Sequence, residues 1–115
     1  MAIFKYLYVI IYNNEHLKGV SITQQEINRE QLKAHILYKL ARHRRWGGKH
    51  TELIHARSAL PREHQMEAES LSRELANDGF LIWLPKTGQI HISLNPRRKK
   101  EIVEMVEKYL KEKIW

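Results

Sequence analysis

The apolar positions change their period along this chain, and each change marks an expected element. Residues 3–12, IFKYLYVIIY, crowd β-branched and aromatic side chains together with no clear polar face. That composition predicts a strand covered on both sides. Ile3, Leu7, Ile10 and Ile11 also fit helical spacing. Asn13-Asn14 ends the run, and Val20-Ser21-Ile22-Thr23 is a candidate partner strand. From Asn28 the period becomes helical. Asn28, with Gln31 three residues on, resembles a capping box. Leu32, Ile36, Leu37 and Leu40 then recur along one face, predicting a helix to about Arg45 that Trp46-Gly47-Gly48 stops. Thr51 is placed to cap a short helix carrying Leu53, Ile54, Ala56 and Leu60. Pro61 ends it or opens the next. A further helix is expected from Arg62 to Asn77, with Gly79 as its left-handed exit.

Past Gly79 the period falls to two. GFLIWLPKTGQIHISLNP, residues 79–96, reads as strand, turn at Pro85-Lys86-Thr87-Gly88, and strand. Ile90, Ile92 and Leu94 point one way and Gln89, His91 and Ser93 the other, as in a half-buried strand. Trp83 alternates with Ile82 and Leu84 and is expected to face away from the core. Asn95-Pro96 forms a cap and first position for a last helix. Its apolar stripe is Ile102, Val103, Val106, Tyr109, Leu110 and Ile114. No repeat or linker divides the 115 residues, so a single domain is expected. It comprises an extension over 1–27, a core over 28–95 and a final helix over 96–115.

The order from 28 to 95 is helix, short helix, helix, strand, turn, strand. LKAHILYKLA, TELIHARSALP and SLSRELANDGFLIWLPKTGQIHISL carry it. These segments resemble the winged helix-turn-helix superfamily. The resemblance implies an α+β fold of three helices and a β-hairpin wing, here with an added N-terminal strand and C-terminal helix. It also implies a third helix in the major groove of DNA and a wing on the backbone. Regulators of this kind often dimerise outside the core module, here through the N-terminal segment and the last helix. The link from second to third helix departs from the usual short turn.

Charge changes the picture by its position. The chain is +7 overall, with pI about 9.8, which favours polyanionic partners. Residues 29–62 are net +7, 63–78 net −4 and 79–100 net +5. There are no cysteines, so disulfides, thiolate metal sites and cysteine nucleophiles are excluded. The first apolar run is too short for a span, which needs about 20 residues, and lacks the layout of an export signal. The expectation is a cytoplasmic protein without a membrane partner.

On the third helix, Leu71, His64, Leu75 and Ala68 share the expected core face, with Glu63, Glu67 and Glu74 on one flank. Arg62, Glu69, Arg73 and Met66 lie opposite, with Gln65 at the edge. Arg62, Gln65 and Arg73 suit base edges or phosphates, although Arg73 and Glu69 also stand at pairing distance on a helix. RHRRWGGKH, residues 42–50, suits phosphates through Arg44, Arg45 and Lys49. The bland alternative makes its arginines cations at a helix C-terminus and Trp46 a core plug rather than a base-stacking surface. Lys86 and Thr87 would tip the wing. Arg97 and Arg98 stand where positive charge opposes a helix dipole, which hints at phosphates.

The seven histidines give no metal motif. His50 and His55 are five apart and share no helix face, and His35 and His43 lack a third ligand. With no phosphate-cradling loop, nucleophile elbow or isolated carboxylate pair, no catalytic residue, metal or cofactor is expected. The reading is double-stranded DNA binding by a small, dimeric regulator. A winged-helix protein-interaction module, or RNA binding through Trp46 and the basic loop, stands as the alternative.

Overall fold

A computed structural model of the chain describes residues 28–111. The expected strands at 3–12 and 20–23, and Ile114, lie outside them. Helix α1, Arg29–Arg42, opens as its sequence suggests: the Asn28 side chain accepts a hydrogen bond from the Gln31 N–H at 2.8 Å. Leu32, Ile36, Leu37 and Leu40 are all buried. The helix stops three residues earlier than expected. Arg44 takes the left-handed conformation, φ 58°. Its N–H reaches the Ala41 carbonyl, and the Arg45 N–H reaches the Leu40 carbonyl. This pairing is a Schellman close at a position usually held by glycine.

The short helix expected at Thr51 begins instead with a strand. β1, Thr51–Glu52, pairs antiparallel with Ile92 and His91, and a 3-10 helix follows over Leu53–Ala59. The expected helix from Arg62 is also divided: Arg62–Glu67 is 3-10, and only α2, Ala68–Asn77, is α-helical. No residue from Arg62 to Glu67 is buried. That segment has no apolar face to hold α-geometry against the core, whereas Ala68, Leu71 and Leu75 are buried and do. α2 closes at Gly79, φ 88°, with the Phe80 N–H on the Leu75 carbonyl.

The hairpin joins β2, Leu81–Lys86, to β3, Gln89–Leu94, through Thr87-Gly88, so Pro85 and Lys86 belong to the strand rather than the turn. Sheet order is β1-β3-β2. Pro85 is tolerated because β2 is an edge strand. Trp83 stands opposite Ile92 and packs against the core with Leu81. This corrects its expected outward placement: Ile82, Leu84 and Lys86 take the other face, with His91 and Gln89.

After the Asn95 cap and a 3-10 turn over Pro96–Arg98, α3 runs over Lys99–Leu110. It buries Ile102, Val106 and Leu110 and packs on α1. The described residues thus form an α+β unit of three α-helices and a three-stranded antiparallel sheet around one core. No described helix is long and apolar enough to cross a membrane.

Candidate nucleic-acid interface

The fold sorts cations that are alike in sequence. Where α1 meets α2, they face carboxylates. Arg29 pairs with Glu74 and lies 3.9 Å from Glu67; Lys33 Nζ is 2.9 Å from Glu74 and 3.5 Å from Glu30. Burial alone would lower the pKa of Lys33. Its hydrogen bond with Glu74 and the charges of Glu30 and Glu74 outweigh that and hold it above the usual lysine value. Hydrogen bonds from Lys33 and then Arg29 hold Glu74 below the usual carboxylate range. Glu67 also takes His64 at 2.8 Å. Two of the three carboxylates on the acidic flank are therefore paired within the fold.

Some expected site residues have structural partners. Arg98 donates to the Asp78 carbonyl at 3.0 Å and to Glu101 at 3.2 Å, and covers the Phe80 ring. It clamps α3 to the α2–β2 turn. A Cβ on Gly79 would sit 2.6 Å from its guanidinium. Gln65 is half-buried and turned back on the Leu60 carbonyl at 3.4 Å, because the 3-10 geometry shifts it off the α-helical edge where it was expected. Arg73 pairs with Glu69 at 3.1 Å and stacks over Trp83 at 4.9 Å, yet its side chain stays 57% exposed. Arg62 is exposed on the 3-10 segment.

Others meet no carboxylate among the described residues. Arg44 and Lys49 are exposed and Arg45 is half-buried. The loop that carries them is held to β3: Leu94 donates to the Arg45 carbonyl at 2.7 Å, Gly47 donates to the Leu94 carbonyl at 2.9 Å, and the Ser93 hydroxyl reaches the Gly47 carbonyl at 2.7 Å. Trp46 is half-buried against the core, which matches the plug alternative. Lys86 and Thr87 are exposed at the hairpin tip and Arg97 at the start of the last helical segment.

Arg45 and Lys86 both act by charge on one member of a histidine pair. His50 Nδ1 is 2.7 Å from His91 Nδ1, with rings at 64°. His91 Nε2 lies 3.3 Å from Gln89 Oε1, which fits a proton on Nε2 and leaves Nδ1 to accept from His50. Loss of solvent, then the charges of His91, Lys86 and Arg45, lower the pKa of His50. Arg45, Lys49 and Lys86 form no ion pair among the described residues. Glu52, opposite His91 on β1, is the nearby acid. His55 instead meets the Thr51 hydroxyl at 2.8 Å, and no group of three metal-binding side chains occurs among the described residues.

The chain matches no family model, no curated protein and no solved structure. The site must be read from its own geometry.

Sequence reasoning missed the pairing of His50 with His91, which depends on strand register across 41 positions. It also missed an apolar cavity of about 270 Å³ between the first 3-10 helix, the start of α2 and β3. Leu53, Ile54, Ala68 and Ile90 supply its apolar wall. Ile54 is 53% exposed, and Met66 nearby in sequence is 83% exposed.

Proposed function

We propose that this chain is a winged-helix-like domain that binds double-stranded nucleic acid, DNA in the first place, mainly through phosphates. The observation that carries the reading is the basic shoulder of Arg45, His50, His91 and Lys86. Its permanent cations form no ion pair among the described residues. Cations held without carboxylate partners are available to phosphates, and such contacts supply most non-specific affinity. Arg44, Lys49, Thr87 and Arg97, also exposed, would add further phosphate contacts. The order helix, strand, helix, hairpin is compatible with a winged helix-turn-helix, in which the Thr87-Gly88 turn is the wing tip.

Pairing of Glu67 and Glu74 with α1 removes much of the repulsion expected from the acidic block. α2 adds Arg73, and Arg62 adds a cation just before it. A dimeric transcriptional regulator is the cellular role this suits. The buried side of α3 is occupied by α1, so dimer contacts from that helix would use its half-buried residues, such as Val103 and Tyr109.

Fluorescence anisotropy on a random-sequence duplex, at low and near-physiological salt, tests the reading. Binding that weakens steeply with salt is expected, and no duplex binding at low salt would overturn it. A matched single-stranded RNA that binds in place of the duplex would move the reading to RNA. The protein-interaction alternative has its own observation in exposed Ile54 on the wall of the apolar cavity. It predicts that Ile54→Ser leaves duplex binding unchanged but abolishes capture of a protein partner.

A further inference from the structure

We propose that a second cavity, where the end of α1 meets β1 and the first 3-10 helix, binds a single phosphate-type oxyanion. The cavity is about 160 Å³ and is lined by Lys39, Leu40, His43, Arg45, Thr51 and His55. At roughly 30 Å³ per liquid water, that is space for several waters or one tetrahedral anion. Its wall holds a lysine, an arginine, two histidines and a hydroxyl, and no carboxylate. Every ionisable group on it is cationic or becomes so on protonation.

Lys39 is the informative residue. Its ammonium donates to the His55 carbonyl at 2.8 Å and to the Ser58 hydroxyl. Those bonds hold it in place but bring no negative charge. An ammonium has three donors, so one remains. Burial lowers the pKa of Lys39, whereas Lys33, six residues earlier on the same helix, is raised by its carboxylates. A cation held in a partly dry site without an anion is stabilised when one arrives.

The rest of the wall fits a ligand with several oxygens. Thr51 Oγ1 and His55 Nδ1 are 2.8 Å apart, which fixes that imidazole while its Nε2 stays available. Arg45 offers a planar fork of donors suited to phosphate. The carbonyls at the end of α1 would repel an anion, but those of Lys39, Leu40 and Ala41 already accept from His43, Arg45 and Arg44. The inference shares Arg45 with the duplex reading but does not rest on it. The phosphate could come from a free ligand or from a nucleic-acid backbone.

The test is a titration of the full chain with inorganic phosphate at pH 7 and constant ionic strength, followed by NMR of the histidine side chains. Saturable shifts at His43 and His55 are expected, with none from chloride. His43→Gln and Arg45→Gln, both changes away from the core, should each weaken phosphate about tenfold, the worth of one charge-assisted hydrogen bond. Lys39→Met should weaken it more; if that variant fails to fold, the first two decide. Shifts that do not saturate, or that survive in both variants, would overturn the proposal. Repeating the titration with duplex present separates the sources: displacement of phosphate identifies a backbone phosphate, and simultaneous binding a free ligand. Phosphate binding without duplex binding would remove the duplex reading alone, and duplex binding without it would remove the cavity alone.

Discussion

The seam between α1 and α2 and the shoulder around Arg45 draw on the same basic block of sequence and use it in opposite ways. At the seam, Arg29 and Lys33 meet Glu67 and Glu74, and Lys33 is only 7% exposed. At the shoulder, Arg45 and Lys86 both act by charge on His50, and neither forms an ion pair among the described residues. The seam's charges hold helices together; the shoulder's repel one another. A fold gains nothing from clustered cations of its own, which is why the proposed duplex contact is assigned to the shoulder and not to the seam. Net charge by block could not make this distinction, because it counts Lys33 and Arg45 alike.

Breaking the seam should have the largest effect on stability. Lys33→Ala removes a buried stem and leaves Glu74 with Arg29 alone. Denaturant unfolding should show a loss of about 2 kcal/mol, and Lys33→Met should recover part of it by restoring the stem. A loss within about 0.5 kcal/mol, the size of an ordinary surface change, would mean that the ion pairs at this seam do not hold it.

Arg44 sharpens the comparison from the shoulder side. It is a non-glycine residue in the left-handed close of α1, whereas Gly79 fills the equivalent place after α2. Arg44→Gly should stabilise the domain by about 1 kcal/mol and weaken duplex binding at the same time. If stability rises while binding is untouched, Arg44 is no phosphate contact. If stability falls, the side chain supports the fold in a way its exposed position does not suggest.

A smaller effect should follow pH. His35 and His50 both have lowered folded pKa values, the first through burial and the second through loss of solvent and its charged neighbours. The unfolded chain therefore takes up protons first as pH falls. The stability linked to these groups is complete above about 6.5 and declines below it. Phosphate binding has the reverse sign. A nearby phosphate favours protonated His50 against Lys86, Arg45 and His91, with Glu52 as the local acid, so duplex affinity should rise between pH 7 and 5.5. Affinity that is flat over this range in wild type, or rises equally in His50→Gln, would remove the histidine pair from the interface.

Much of the framework was legible in the chain. The Asn28 cap, the α1 stripe, the Gly79 exit, the β3 strand and the Asn95 cap are local signals that the structure bears out, although Ser93, expected on the outward face of β3, is fully buried. β1 was not legible because two residues carry no period; Thr51 and Glu52 become a strand only by pairing with β3. The 3-10 form of Arg62–Glu67 was missed because face assignment presumed α-geometry, and Gln65 moved as a result. Trp83 was placed on the wrong face because its neighbours Ile82 and Leu84 are also apolar. At the site, the exposure of Lys86 and Thr87 could be read from a turn. The clamp by Arg98, the partners of Lys33 and Lys39, and the His50–His91 pair all join residues distant in sequence and required the fold.

The most direct test of the central claim is the salt dependence of duplex affinity for wild type beside the double variant Arg45→Gln/Lys86→Gln. The account predicts that the variant keeps its stability within about 0.5 kcal/mol. It also predicts weaker binding at every salt concentration and a log–log salt slope shallower by about 2, one for each lost phosphate contact. A variant with the affinity and slope of wild type would contradict the claim that the shoulder is the phosphate-binding surface.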